Sequence, residues 1–293
     1  MIWLWIGVGL AGALLLAGFI YWQMVIAEGA YLGPRVVAWT YDKVACRYDA
    51  IKQFDRREES WYVAEPLLRK LAGVDHPRLL DVATGTARLP LSLLRGQYAG
   101  QIVGLDLSAK MLQVARSKLT AYGDQVGLVW QDAGCLPFED GAFDAVTCLE
   151  ALEFLPHPLE SLAEMVRVLA PGGVLLVTNR IGRDALFLPG HTIRRDELER
   201  ELDTLGLCDV DVRRWQVSYD LAMARKKGRR APGRSDRVDW LTLLRCPGCG
   251  GALRTSPRAL SCLSCRQSYP VLDGIVHMAS PRPSPDQSGT YAA

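Results

Sequence analysis

Apolar side chains run almost unbroken from Ile2 to Ala27, with Gln23 the one strongly polar residue among them and Glu28 the first charged one. Coiled as a helix, these 26 residues would reach about 39 Å, enough to cross a hydrocarbon core of roughly 30 Å with some tilt. The segment 1–28 is therefore read as a transmembrane anchor. A secretory signal peptide is the competing reading, but the run exceeds an h-region, no Lys or Arg precedes it, and no small-x-small cleavage site stands before Glu28. Arg35, Lys43 and Arg47 follow within about 20 residues, and this one-sided charge predicts a single-pass membrane protein whose C-terminal bulk is cytoplasmic.

Beyond the anchor the periodicity changes. From Ile51 to Ala72 apolar residues recur at helical spacing, Trp61, Ala64, Leu67, Leu68 and Leu71 among them, which predicts an amphipathic helix. Leu79–Ala83, Ile102–Leu107, Val126–Trp130, Phe143–Cys148 and Gly173–Thr178 are apolar runs of strand length separated by helical patterns. That alternation predicts an α/β fold, a Rossmann-like doubly wound and mostly parallel sheet with helices on both faces. Two further strand-like runs, around Cys208–Val212 and Val217–Met223, leave no room for a helix between them and predict an antiparallel hairpin at the sheet edge. The domain so defined covers residues 29–226. The basic, Gly- and Pro-containing stretch from Arg225 to Arg237 reads as a flexible linker, placed at 227–238. A compact Cys-rich unit follows at 239–280, then a Pro- and Ser-rich tail at 281–293 with too few apolar residues to fold.

Composition sets limits on this picture. With 49% hydrophobic and 23% charged residues among 293, the chain buries a core and is not disordered throughout. A formal net charge of +2 excludes a surface that is basic as a whole, so any contact with nucleic acid or anionic lipid must be local. Of eight Cys, four form two C-x-x-C turns, Cys246-Pro247-Gly248-Cys249 and Cys262-Leu263-Ser264-Cys265, with twelve residues between them. Two such knuckles can present four thiolates tetrahedrally to one structural Zn²⁺, leaving no open position for catalysis. The alternative is a redox pair, which normally stands alone at a helix start. Cys46, Cys135, Cys148 and Cys208 have no partner spacing and read as small packing residues.

The candidate chemistry begins at Asp81-Val82-Ala83-Thr84-Gly85-Thr86-Ala87-Arg88, where a strand passes through a turn of small residues into a helix. Small side chains there let a ligand approach the backbone. Asp106 ends the next predicted strand twenty-five residues after Asp81, and Asp132 follows the third strand twenty-six residues later. Three carboxylates are thereby expected along the carboxyl edge of one sheet, where open α/β sheets bind ligands. Taken singly, each could equally be a helix cap or turn residue.

These motifs resemble the class I S-adenosylmethionine-dependent methyltransferases, and the ubiquinone/menaquinone biosynthesis methyltransferases in particular, over about Trp39–Lys226. Asp81 to Thr86 is similar to that family's first motif, Val103-Gly104-Leu105-Asp106-Leu107-Ser108 with Met111-Leu112 to its second, and Asp132-Ala133 with Leu136-Pro137-Phe138 to its adenine motif. Phe143-Asp144 and Leu169-Ala170-Pro171-Gly172-Gly173 continue the order, and Tyr41-Asp42-Lys43-Val44-Ala45 with Tyr48-Asp49 resembles the segment that folds over the cofactor. The resemblance implies that S-adenosylmethionine is held by Tyr41, Asp81, Ala83, Gly85, Asp106, Leu107, Met111, Asp132 and Ala133. Asp106 would take the ribose, Asp132 the adenine amino group, and Gly85 the methionine end. Ala87 departs from the family, which usually has a third glycine there; its methyl would either narrow the pocket or pack under the helix.

Glu150 is the catalytic candidate, able to orient or deprotonate an acceptor, with Glu153 and His157 more simply a solvated carboxylate and a loop histidine. Leu243-Leu244-Arg245-Cys246-Pro247 and Ser268–Met278 resemble the zinc-ribbon subunit that activates tRNA and protein methyltransferases. That likeness implies a ribbon docked on the enzyme in the same chain through the Tyr269–Met278 strand, to which His277 belongs rather than to the metal. The functional expectation is a membrane-anchored, cytoplasm-facing methyltransferase acting on a small or lipid-soluble acceptor such as a quinone, isoprenoid or lipid precursor, since anchoring concentrates such a substrate. The alternatives are an RNA methyltransferase, prompted by the ribbon and the basic linker, and a cofactor-binding scaffold without turnover.

Overall fold

The computed structural model describes residues 1–230 and 239–278; residues 231–238 of the basic linker, residues 279–280 and the 281–293 tail lie outside the described residues. The apolar N-terminus forms a helix over Ile2–Tyr21 that continues as a wider π turn over Trp22–Ile26. The 24 residues from Trp3 to Ile26 are long and apolar enough to cross a membrane, and none of that span's most apolar stretch is buried in the protein.

The central sheet contains β1 (Arg78–Val82), β2 (Gln101–Asp106), β3 (Val126–Trp130), β4 (Phe143–Cys148), β5 (Leu169–Arg180), β6 (Leu207–Gln216) and β7 (Tyr219–Lys226). Its order is β6-β7-β5-β4-β1-β2-β3, with β1 to β5 parallel and β7 antiparallel to both β5 and β6. This is the doubly wound sheet with its C-terminal hairpin that the alternating pattern implies. The order in which strands are added reverses between β1 and β4, so the connections leaving their carboxyl ends turn to opposite faces of the sheet and open a crevice. Side chains of both sheet faces are buried: every residue of β1 and β4 is inaccessible, as expected of parallel strands covered on both sides.

The structure departs from the sequence pattern in three places. The predicted helix from Ile51 to Ala72 is interrupted at Gln53, whose left-handed backbone ends the Tyr48–Lys52 turn; a new start is capped by Asp55, which accepts from the amides of Arg57 and Glu58. From Arg56 the helix runs to Lys70 through a π turn at Ser60–Ala64, next to Pro66, which has no amide to donate and crowds the preceding turn. The π turn rotates the face, so Val63, Ala64, Leu67 and Leu71 are buried while Trp61 points outward, 65% exposed. No helix covers the crossing from β3 to β4: residues 131–142 form a loop, and its outer side is covered by Leu243 and Leu244 from the C-terminal unit. The expected basic linker begins later than its composition suggests. Arg225 and Lys226 belong to β7, the Arg225 guanidinium donates to the Gly172 carbonyl, and the Lys226 ammonium donates to the carbonyls of Val166 and Leu169. Lys227 pairs with Asp203, and Arg230 with the buried Asp144.

The Cys-rich unit adds β8 (Leu253–Ser256), β9 (Ala259–Cys262), β10 (Ser268–Leu272) and β11 (Ile275–His277). These four strands extend the main sheet beyond β3, because β11 pairs parallel to it: Ile275 lies beside Leu128, Val276 beside Val129 and His277 beside Trp130. The edge of β3 is thereby closed to other strands. The His277 ring meets Trp130 edge to face at 5.0 Å, within the strand and apart from the cysteines. A second seam is made by Leu243 to Arg245. The Glu139 amide donates to the Leu243 carbonyl, the Arg245 amide to the Pro137 carbonyl at 2.8 Å, and the Arg245 and Glu139 side chains form an ion pair. Leu243, Leu244, Cys246, Leu260, Tyr269, Val276 and Met278 lie in one continuous apolar core with Val129, Phe138 and Phe143.

Trp240 closes the seam on β3. A methyl group added at Gly127 would fall 2.3 Å from its ring, so the indole lies directly on the glycine backbone. Gly127→Ala is therefore expected to push Trp240 off the sheet and cost about 1–3 kcal/mol, the usual penalty of overpacking. Chemical denaturation measures the loss, and limited proteolysis should show faster release of the 239–278 unit than in the wild type.

Candidate active site

The turn after β1 is built around a buried carboxylate. Asp81 is 3% exposed, and its oxygens accept hydrogen bonds from the Thr84 hydroxyl at 2.7 Å and the Thr147 hydroxyl at 2.6 Å. Thr84 lies in the turn and Thr147 in β4, so one side chain ties the turn to the neighbouring strand across the crevice. Burial outweighs these donors and pushes the Asp81 carboxyl up to about 6. Asp106, at the end of β2, holds the far side of the turn: its oxygens accept from the Gly85 amide at 2.7 Å and the Ser108 amide at 2.8 Å. Burial again dominates, and its carboxyl also rises to about 6. Each oxygen retains a lone pair for a ligand donor.

The crevice is an open cleft lined by Tyr41, Ala83, Gly85, Asp106, Leu107, Met111, Asp132, Ala133 and Glu150, among others. Every cofactor residue expected from the sequence is in that lining except Asp81, which lines an adjoining cleft of about 380 Å³ with Gly85, Arg88 and Glu150. A methyl group on Gly85 would meet nothing within 4 Å, so its backbone faces open space. Asp132 accepts from the Gly134 amide at 2.7 Å, and the Leu107 carbonyl is fixed by the Trp130 indole N–H at 2.7 Å. Three non-glycine residues beside the cleft have left-handed backbones: Ala83, Ala87 and Glu150. At about 1–2 kcal/mol each, that strain is concentrated where the strands end. Ala87 is fully buried and its methyl packs in the core under the Arg88–Arg95 helix, so it does not narrow the cleft.

The Pro34–Val44 helix and the turns after it lie over this cleft. Asp42 latches them by accepting from the Ser108 hydroxyl at 2.6 Å and the Lys110 amide at 3.1 Å. Asp49 adds a second latch, taking the Thr86 hydroxyl at 2.6 Å and pairing with Lys118. Pro34, Val37, Ala38, Tyr41, Phe154 and Leu155 give one wall an apolar surface. The Tyr41 hydroxyl donates to Glu28 at 2.6 Å, and burial holds it well above the usual phenol range.

Glu150 lies on the wall shared by both clefts, and both of its oxygens are engaged, by Arg88 at 2.8 Å and by Lys52 at 3.5 Å. Arg88 also pairs with Glu59 at 3.0 Å; Glu59 is buried, its other oxygen has no partner, and burial pushes its carboxyl up to about 7. Glu153 is not a solvated residue: it is 1% exposed, accepts from the Tyr219 hydroxyl at 2.5 Å, and burial raises its carboxyl. His157 is exposed in the loop before the Pro158–Val168 helix.

Two groups escaped sequence reasoning. Arg88 carries no signal of its own, because its partners Glu59 and Glu150 are distant in sequence. Arg167 gathers the loop after β3, donating to the carbonyls of Phe138 and Leu136 at 2.8 Å while Glu164 accepts from the Leu136 amide. The i,i+3 spacing of Glu164 and Arg167 on one helix was the available clue. In the C-terminal unit, the sulfurs of Cys246, Cys249, Cys262 and Cys265 all lie within 4.8 Å of one another, and none is in a disulfide. A tetrahedral thiolate site with bonds of about 2.3 Å has edges of about 3.8 Å, so the arrangement fits a four-coordinate ion. Of the other four cysteines, Cys148 is buried and Cys208 half-buried, whereas Cys46 and Cys135 are exposed rather than packed.

Residues 80–177 match the sequence model of a family described as "Methyltransferase domain". Among curated proteins, the demethylmenaquinone methyltransferase of Thermus thermophilus is 45% identical over 100 residues, which are 34% of this chain and 46% of that protein. The ubiquinone/menaquinone biosynthesis C-methyltransferase UbiE of Hahella chejuensis is 37% identical over 150 residues, 48% of this chain and 58% of that one. The chain thus spans about half the length of the curated relatives it matches. A solved complex of a methyltransferase activator with a putative methyltransferase from Haloferax volcanii superimposes with a TM-score of 0.50 at 20% identity, over 64% of this chain and 98% of that one, a likeness of fold. The strand order and the crevice at the β1/β4 switch agree with that match: residues 80–177 have the class I methyltransferase fold.

Proposed function

We propose that this protein transfers a methyl group from S-adenosylmethionine to a lipid-soluble acceptor of the quinone type, held at a membrane by its N-terminal helix. The observation that carries the reading is the convergence of the open Gly85 backbone, Asp106 and Asp132 on one cleft. Carboxylates and backbone carbonyls complement the ribose hydroxyls, the adenine amino group and the two cationic centres of that cofactor. Bound there, S-adenosylmethionine supplies an electrophilic methyl carbon on a sulfonium sulfur; the acceptor's new bond forms as the carbon–sulfur bond breaks, and the acceptor releases a proton.

In this reading Asp106 takes the ribose, Asp132 and the Ala133 amide the adenine, and Asp81 braces the turn that meets the methionine end. Tyr41, Phe154 and the apolar face of the Pro34–Val44 helix exclude water and keep the acceptor in line, which is most of what such a transfer demands of a protein. Glu150, clamped by Arg88 and Lys52, is assigned as a fixed negative charge on the wall that faces the cation and orients the acceptor. The relatives methylate quinone precursors by name, and the apolar wall and the spanning helix support the same class of acceptor here. The four cysteines are assigned a structural zinc, which would hold the knuckles that present β11 to β3. The division into an anchor, a catalytic domain and a ribbon acting in the same chain is part of this proposal, and the Haloferax volcanii neighbour, solved with its activator, supports it.

The first test is transfer of methyl label from S-adenosylmethionine to host extract by the full chain, followed by separation into lipid, RNA and protein. Label is expected in the lipid fraction and lost in Asp106→Ala, whose cofactor affinity by calorimetry should drop at least about tenfold, or 1.4 kcal/mol; label in RNA would overturn the acceptor assignment. Cofactor affinity should also depend on pH. Asp81 and Asp106 titrate at about 6, so the cleft is fully negative above that pH and loses charge as pH falls through it. Binding of the cationic cofactor is therefore expected to weaken as pH falls through about 6, with a shallower fall in Asp106→Asn. For the zinc, metal analysis should find about one ion per chain, and Cys249→Ser should lower that figure and expose the β3 edge to proteolysis; a wild type without metal would refute the site.

A further inference from the structure

The spanning helix does not leave the domain as a free stalk. Its last turns are docked: the Trp22 indole donates to the Phe187 carbonyl at 3.0 Å, and the Tyr31 hydroxyl donates to the Pro189 carbonyl at 2.9 Å. Tyr31 stacks on Trp22 at 5.2 Å and meets His191 edge to face at 4.7 Å. Gln23, the polar residue of the apolar run, is turned inward and buried. The segment after β5 is thus fixed beside the point where the helix ends.

That segment exposes apolar side chains that the fold leaves uncovered. Leu186 is 78% and Phe187 49% exposed, at the end of the short Gly182–Leu186 helix. Val217, 83% exposed, is held alongside, because the Ser218 hydroxyl donates to Asp184 and the Ile181 amide donates to the Ser218 carbonyl. Leu32, half exposed, stands on the turn just after the helix. Exposed Arg183 lies on the same short helix, and aromatic residues with polar edges, Trp22 and Tyr31, mark its boundary with the spanning helix, the composition of a membrane–water interface. The cleft begins close by: Pro34, the first residue of its apolar wall, is eight residues beyond Ile26, and Leu155 and Pro156 complete that wall.

We propose that Leu32, Leu186, Phe187 and Val217 form a second membrane contact, an interfacial lip continuous with the spanning helix that sets the apolar wall of the cleft against the bilayer. An acceptor dissolved in the lipid then reaches the methyl donor along Pro34, Val37 and Ala38 without crossing water. The inference rests on the anchored-methyltransferase reading and adds to it the surface by which the catalytic domain lies on the membrane. The short helix is too brief to bind by itself; its contribution is apolar area already positioned by the anchor, so the contact is intramolecular and needs little affinity.

The test uses the full chain in lipid nanodiscs with a photoreactive benzophenone residue at Leu186 or, as the control, at Leu263, an equally apolar exposed residue in the second knuckle at the far end of the sheet. Cross-linking to radiolabelled phosphatidylcholine is expected to be at least fivefold higher from 186 than from 263, and equal yields overturn the proposal. This readout needs no turnover, so it stands apart from the failure of the methyltransferase reading, and alkaline extraction of the wild type from membranes reports separately on the anchor. In kinetics, the double variant Leu186→Glu with Phe187→Glu should lower the ratio of activity on a vesicle-embedded long-chain quinone to activity on a short-chain soluble analogue at least fivefold. An unchanged ratio counts against the lip.

Discussion

The buried carboxylate of Asp81 is the constraint on which the site depends. It stands near the carboxyl end of β1, beside β4, and its two hydroxyl partners come one from the turn and one from the neighbouring strand. A carboxylate taken out of water is costly unless its lone pairs are occupied, so the turn cannot relax without leaving that charge unpaired. Left-handed backbones at Ala83, Ala87 and Glu150 cluster around this turn. Gly85 is then presented with its open face to the cleft and its amide on Asp106, and everything that can hold a nucleoside follows from that placement.

The other end of the sheet answers a different problem. A parallel edge strand such as β3 leaves a row of unpaired amides and carbonyls, and the loop after it has no helix above it. Both deficits are met by one unit: β11 takes the edge, while Leu243 and Leu244 cover the loop. The same loop carries Asp132 and Ala133, so the C-terminal unit supports the cleft from behind through Pro137 and Phe138, with Arg167 holding the loop from the helix before β5. The cysteine cluster lies in the knuckles of this unit, apart from the cleft. An element that could be mistaken for an appended module is part of the fold's apolar core.

At the opposite side, the N-terminal apolar helix is docked on the loop after β5, and the Pro34–Val44 helix that follows it forms part of the cleft wall. Asp42 and Asp49 draw that helix and the turns after it down onto the carboxyl ends of the strands, so the cover of the site is continuous in the chain with the N-terminal helix.

Much of this was legible in sequence because it depends on local periodicity. Alternating strand and helix patterns placed β1 to β5 to within a few residues, and aspartates at strand ends, together with the family resemblance, identified the lining of the cleft. The paired C-x-x-C turns fell together as their spacing implied, because two short knuckles on one hairpin have few ways to arrange themselves. What only the tertiary structure decided are contacts between residues remote in the chain. Glu153 looked solvated until Tyr219, sixty-six residues away, covered it. Arg225, Lys226, Lys227 and Arg230 looked like part of a spacer until carbonyls and acids of β5, the helices and β4 bound them. Trp61 turned outward because a π turn, set by Pro66 and the packing of Val63 and Leu67, rotated the face that helical spacing alone had assigned. In each case composition and period fix which element forms, while burial and pairing depend on which distant surface arrives to cover it, and that is settled by packing the whole chain around one core.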